Sequence, residues 1–301
     1  MKPVTAYGQL AELVMGAVRG SRVVAYGQAF GGAHSNPRPT TWTADVTDQG
    51  GTFVEHEQSF TMFGGEDAIS VNAEAATAST AVLVGGWDGP GGRYGAASWT
   101  SPDGVTWTRH ADADGLSSAV GEQTAASGVT STGSGFVALG STMRGDAGGL
   151  VVVPLAWLSQ DGVGWRRVAL PASGPARADV AGCDGSGCVV VGGTQTASQH
   201  LLCWTLSPSG RPGAGASGPG SGLVQPGSVL LRRGEAYVLH QVDHVSRLAT
   251  VSRDCTRWAP VSLPVKTQDA ALGLVGDRLL LVSTESARSR IWLRNQPQEG
   301  G

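Results

Sequence analysis

The sequence predicts an all-β fold, a six-bladed β-propeller of four-stranded antiparallel blades, on three observations. A short apolar strand recurs six times, a tryptophan follows at a matching place in five of the six copies, and three copies run on into a Ser-x-Asp-x-x-x-Trp turn. Self-similarity with a period of roughly 40–50 residues is the mark of blades or arrays, because each unit buries its apolar faces only against its neighbours.

The strand, usually closed by Gly, reads Val23-Val24-Ala25-Tyr26-Gly27, Ala81-Val82-Leu83-Val84-Gly85, Phe136-Val137-Ala138-Leu139-Gly140, Cys188-Val189-Val190-Val191-Gly192, Ala236-Tyr237-Val238-Leu239 and Leu279-Leu280-Leu281-Val282. A polar loop and a second strand follow, marked by Trp42, Trp99, Trp157, Trp204 and Trp292, with Ala249 near the equivalent place in the fifth copy. Gln9 to Val18 has a faint helical period, but its position in the repeat makes it a strand. Residues 207–228, dense in Gly, Pro and Ser, read as a long flexible loop inside one domain spanning 1–301, since the repeat resumes directly afterwards. Residues 3–7 precede the first strand and the sixth copy lacks a fourth, so the N-terminal strand is expected to complete the last blade and hide its edge. Seven blades are the alternative if the natural chain is longer.

The turns are Ser101-Pro102-Asp103-Gly104-Val105-Thr106-Trp107, Ser159-Gln160-Asp161-Gly162-Val163-Gly164-Trp165 and Ser252-Arg253-Asp254-Cys255-Thr256-Arg257-Trp258. Ser and Asp oxygens accept from turn amides, Gly tolerates positive φ, and Trp covers the turn. These residues resemble the Asp-box, or BNR, repeat of sialidase-like and sortilin-like propellers, one residue shorter than its common form, and the resemblance covers nearly the whole chain. It implies a scaffold role for these Ser, Asp and Trp residues. The arginine motif and the Tyr–Glu pair of sialidases are not found, so a scaffold without that chemistry is expected.

Composition narrows the partners. Charged residues are 15% of the chain and the formal net charge is −3, which leaves no basic field for nucleic acid. No apolar run approaches the roughly 20 residues of a membrane helix, so direct membrane insertion of this segment is not expected. Lys2 and Lys266 are the lysines among 21 basic residues, a bias expected of a GC-rich bacterial genome. Met1-Lys2-Pro3 lacks a secretory apolar region, so the protein is either cytoplasmic or exported through a segment absent from this sequence. Cys183 and Cys188 flank the turn Asp184-Gly185-Ser186-Gly187, which sets their thiols across a hairpin; a disulfide there implies an oxidising, extracytoplasmic setting. The alternative is two reduced thiols. Cys203 and Cys255 show no informative spacing.

In a propeller, the loops between second and third strands share a face with the connections between blades. That face is expected to bind ligand through Trp87, Asp88, Arg93, Tyr94, Arg144, His200, Asp243, His244 and Arg288, with His34 and Asn36 on the first such loop. Other motifs are weak. Gly213 to Gly218 fits G-x-G-x-x-G without a strand before it or a helix after it, and His240 with His244 leaves a strand where metal ligation would need a helix. No catalytic residue, metal or cofactor is assigned. The expectation is a non-enzymatic propeller binding a protein or cell-envelope ligand. The alternative is a glycoside hydrolase or lyase with carboxylates and arginines at the channel mouth.

Overall fold

The computed structural model describes residues 1–30, 38–213, 215–220, 224–275, 278–285 and 288–294. The fold is a six-bladed β-propeller, built of six antiparallel sheets that each run in sequence order. The first holds β1 (Ala11–Arg19), β2 (Arg22–Ala29), β3 (Arg38–Asp45) and β4 (Val54–His56); the second β5 (Ala68–Ala76), β6 (Ala81–Gly89), β7 (Arg93–Ser101) and β8 (Thr108–His110). The third holds β9 (Glu122–Ser131), β10 (Phe136–Asp146), β11 (Gly149–Ser159) and β12 (Arg166–Ala169); the fourth β13 (Ala176–Asp184), β14 (Gly187–Thr194), β15 (Leu201–Leu206) and β16 (Ala216–Ser217). The fifth holds β17 (Val224–Arg232), β18 (Glu235–Val242), β19 (Val245–Ser252) and β20 (Trp258–Val261), and the sixth β21 (Asp269–Val275), β22 (Arg278–Glu285) and β23 (Arg288–Arg294). Helix is confined to a 3-10 turn at Tyr7–Leu10 and one α-helical turn, α1 (Phe60–Phe63), among the described residues. None is long and apolar enough to cross a membrane.

The six apolar runs are the second strands, β2, β6, β10, β14, β18 and β22. They lack polar alternation because neighbours cover both their faces: Val82, Leu83 and Val84 are all fully buried, whereas β1, the first strand of its blade, alternates half-buried and exposed residues. The Gly that closes the run meets the first strand at close quarters. A Cβ on Gly85 would lie 2.0 Å from the Ser70 carbonyl oxygen.

The chain groups into two compact units, Met1–Val151 with Leu155–Ala169, and Val152–Pro154 with Leu170–Gly301. In the first unit, Val24, Tyr26, Phe63, Leu83, Trp87, Trp99 and Trp107 form one core, with Phe63 edge-on to Tyr26 at 5.4 Å. In the second, Val189, Val191, Leu201, Cys203, Val238, Val251 and Cys255 form another.

Three expectations are corrected. The N-terminal segment pairs with the outer strand of the first blade, not with the last: Lys2 bridges Val54 in parallel, and the sixth sheet has three strands among the described residues. The reason is Glu55, almost wholly buried, whose carboxylate accepts from the Val4 amide at 2.7 Å and from the Thr5 amide and hydroxyl at 2.8 Å. Within 207–228, Ala216–Ser217 forms the fourth strand of its blade and β17 already begins at Val224, so this stretch is only partly loop. Cys203 and Cys255, which showed no pattern in sequence, form a disulfide beside the expected one between Cys183 and Cys188. Two disulfides point to an extracytoplasmic setting.

Candidate functional site

The first three blades are organised around three stations that face one another across strands, and the fourth keeps the first and the third of them. The Trp of the third strand stands opposite the third residue of the apolar run: Trp42 faces Ala25, Trp99 faces Leu83, Trp204 faces Val190 and Trp292 faces Leu281. Trp42, Trp99, Trp157 and Trp204 are fully buried. In three of them the indole N–H reaches back to the connection that precedes the blade: Trp99 donates to the Met62 carbonyl at 2.9 Å, Trp157 to Gly115 at 2.9 Å and Trp204 to Pro171 at 2.7 Å, whereas the Trp42 indole N–H is buried without a partner.

The fourth strand supplies the second station. Arg109 faces Trp99 and donates to the Thr61 and Met62 carbonyls, while Arg167 faces Trp157 and donates to Gly115 and Ser117. Glu55 faces Trp42 at the same place and binds main-chain amides of the preceding segment instead. The third station is the Gly closing the apolar run, two residues beyond the partner of the Trp.

In the fifth blade all three stations differ. Ala249 faces Val238 in place of Trp, Pro260 faces Ala249 in place of Arg, and His240 replaces Gly. Around these three residues the second unit has a cavity of about 650 Å³, entered past Pro219, Arg247 and Lys266. His240 is 4% exposed and its Nδ1 is buried without a hydrogen-bond partner, as is the Trp258 Nε1 that also lines the cavity. Burial pushes the His240 imidazole below the usual histidine value, so it is neutral at pH 7. Among the described residues, no acidic side chain lines this cavity, nor the apolar hollow of about 590 Å³ that shares residues 260–264 with it.

The residues expected from sequence to bind ligand fall elsewhere. Trp87 is 4% exposed and packs edge-on against Trp99 at 6.1 Å, with the Arg109 guanidinium 3.8 Å over its ring. It is core, because the same connection that seats Trp99 covers it. Asp88 is half-buried with Oδ1 unpartnered, and faces Tyr94, which is 54% exposed. Arg93 is exposed and donates to the Pro90 carbonyl of its own turn. Arg144 is exposed opposite Glu122, and Arg288 is exposed opposite Glu285. His200 ties Ser198 to Gly220 through its two ring nitrogens, and Asp243 and His244 are the two positive-φ residues of a tight hairpin turn. These side chains therefore occupy separate hairpins. His34 and Asn36 lie outside the described residues. The cavity residues were missed although each breaks a visible pattern: His240 interrupts the run of closing glycines and Ala249 the run of tryptophans.

The three Ser-x-Asp-x-x-x-Trp turns form a common hydrogen-bond set. Asp103 Oδ1 accepts from the Val105 and Thr106 amides at 2.8 Å, and Asp161 Oδ1 from Val163 at 2.9 Å and Gly164 at 3.2 Å. In the third turn, the Ser252 and Thr256 hydroxyls and the Thr256 amide hold the Asp254 carboxyl down to about 2. Gly104 and Gly162 have φ of 78° and 80°, and Cys255 adopts 63° at the same position. This position locks onto the blade before. The Ser98 hydroxyl donates to the Gly162 carbonyl at 2.8 Å, and Cys203, which like Ser98 immediately precedes the blade Trp, is bonded to Cys255.

No family model and no curated protein matches this chain. Among solved structures it is similar to prolyl oligopeptidase B from Galerina marginata, at 11% identity and TM-score 0.52, over 93% of this chain and 39% of that one. The acylaminoacyl peptidase of Pyrococcus horikoshii matches at 10% identity and TM-score 0.45, over 95% of this chain and 51% of that one. A thermostable family-43 glycoside hydrolase matches at 12% identity and TM-score 0.44, over 79% of this chain and 97% of that one. The chain thus spans about half of the length of one peptidase and about two fifths of the other, and at these identities the likeness is one of fold.

Proposed function

We propose that the protein is a non-enzymatic, extracytoplasmic binding module whose principal ligand site is the cavity of the fifth blade. The observation that carries this reading is a cavity of about 650 Å³ lined by buried, unpartnered hydrogen-bonding atoms of His240 and Trp258 and by no carboxylate. A concave, largely apolar site with a few convergent polar groups suits a small ligand or an anchoring side chain. Glycoside hydrolysis ordinarily needs paired carboxylates, which this cavity lacks. The exposed Arg93, Tyr94, Arg144, Asp243, His244 and Arg288 are proposed as further contacts for a protein or cell-envelope ligand, with Asp88 and His200 supporting the hairpins that carry them.

A thermal-shift panel of envelope sugars, peptides and small organic acids tests this, with product formation followed in the same samples. Saturable stabilisation without product is the expected result. Turnover of any glycoside or peptide would overturn it.

A further inference from the structure

We infer that the cavity of the fifth blade is a vacated tryptophan slot that receives an indole ring carrying a carboxylate. This rests on the binding reading above and names its ligand class.

The other blades show what the slot is built to hold. Between the third strand and the preceding connection, the second, third and fourth blades each seat an indole whose N–H is taken by a carbonyl of that connection. In the fifth blade the preceding connection is still there, as Pro219 and Gly220 in the cavity wall, while the indole is gone at Ala249. The Gly220 carbonyl accepts from His200 Nδ1 at 2.5 Å and, like the Met62 and Gly115 carbonyls that each take two donors, keeps a lone pair for an incoming N–H. The sixth blade indicates a second acceptor. There Ser283 stands where His240 stands in the fifth, and the Trp292 indole donates to its hydroxyl at 3.3 Å. An indole entering beside Ala249 finds the His240 imidazole in the corresponding place, with Nδ1 buried and unpartnered.

Two further features select the carboxylate. Trp258 Nε1 is a donor only and buried without an acceptor, so its lost hydration stays uncompensated until an acceptor arrives. Arg247 and Lys266 stand exposed at the cavity edge, and among the described residues no acid lines the cavity to oppose them. A ring bearing a carboxylate satisfies the indole donor, the imidazole and the cationic edge together. The ring can be a free aromatic acid or the C-terminal tryptophan of a polypeptide.

Calorimetric titration of the disulfide-intact protein with N-acetyl-L-tryptophan, its amide and N-acetyl-L-leucine tests the inference. Expected are saturable binding of the acid, at least tenfold weaker binding of the amide, and no binding of the leucine compound. Ala249→Trp, which installs the residue the other blades carry, is expected to weaken the acid at least tenfold without lowering Tm, and His240→Gly to weaken it while leaving the fold intact. Indole-3-acetate and a tetrapeptide ending in Trp separate the two sources, the tighter ligand naming the source. Equal affinity of wild type and Ala249→Trp, or no binding of any indole acid, would overturn the inference. If the indole acids fail while another compound of the thermal-shift panel binds, the ligand class falls and the binding reading stands; turnover removes the reading itself.

Discussion

Replacing Asp103 by Ala takes one carboxylate oxygen from two turn amides and one hydroxyl, and leaves Val105 and Thr106 without acceptors. By analogy with the loss of a helix N-cap, the expected cost is about 1–2 kcal/mol, read as a lower midpoint in urea with an unchanged slope. Glu74 makes a contrasting case. It faces the fully buried Leu83, both its carboxyl oxygens are buried, and burial pushes the carboxyl up to about 8 against the opposing effect of the Tyr26 backbone. The native state therefore holds a proton that the unfolded chain releases above its ordinary value of 4.5. Stability contributed by this group falls as pH rises from about 4.5 to about 8, and is constant beyond. Glu74→Gln is expected to abolish that decline and to raise Tm at pH 8; the same slope in the variant would assign it to other groups. The turn aspartates could be read from sequence because their partners are two and three residues away. Glu74 could not, since nothing local distinguishes a buried Glu on a first strand from a solvated one.

At the scale of the element, the turn of the fifth blade does in covalent form what the turn of the third blade does with a hydrogen bond. Where Ser98 donates to the Gly162 carbonyl, Cys203 is joined to Cys255 across 52 residues of chain, and Arg253 in the same turn donates to Asp184 at 2.8 Å. Chain-entropy reasoning gives about 4 kcal/mol for a loop of this length against about 2 kcal/mol for the short Cys183–Cys188 loop. The double variant Cys203→Ser/Cys255→Ser is expected to lower Tm by roughly 10 °C, and Cys183→Ser/Cys188→Ser by about half as much. Calorimetry under oxidising conditions checks the order, and an equal effect would contradict it. The short disulfide was legible because both thiols flank one turn. The long one was not, because its meaning depends on register: Cys203 matters by standing next to Trp204, and Cys255 by occupying the positive-φ position that Gly fills in the sister turns.

For the molecule as a whole, six apolar runs sufficed to give the number and order of the blades, since covering both faces of a middle strand leaves an unmistakable apolar stretch. The manner in which the chain begins was not legible. A two-residue bridge such as Lys2 to Val54 is too short to leave a pattern, and it is held by Glu55, whose burial depends on the fold being already formed. The amides and hydroxyls around Glu55 hold its carboxyl below the usual value despite burial, so this anchor stabilises above about pH 4.5 and is lost as pH falls through the lowered value. Glu55→Ala is expected to increase amide hydrogen exchange at Val4 and Thr5 by at least tenfold at pH 7; unchanged exchange would mean that the segment is held by other contacts. The departures from the repeat were visible one at a time, as a missing Trp and a missing Gly. Only the register shows that Ala249, His240 and Pro260 meet in one slot.

The blade pair that lacks an indole on one side is fastened by a disulfide and an ion pair at its turn, which offsets the lost packing and leaves the slot free. The most direct measurement is the melting temperature of His240→Gly/Ala249→Trp in the absence of ligand, since this double variant restores the Trp and Gly stations of the other blades. A rise of about 3 °C or more is expected from refilling the slot. A fall would contradict the claim that the fifth blade carries a vacated tryptophan site.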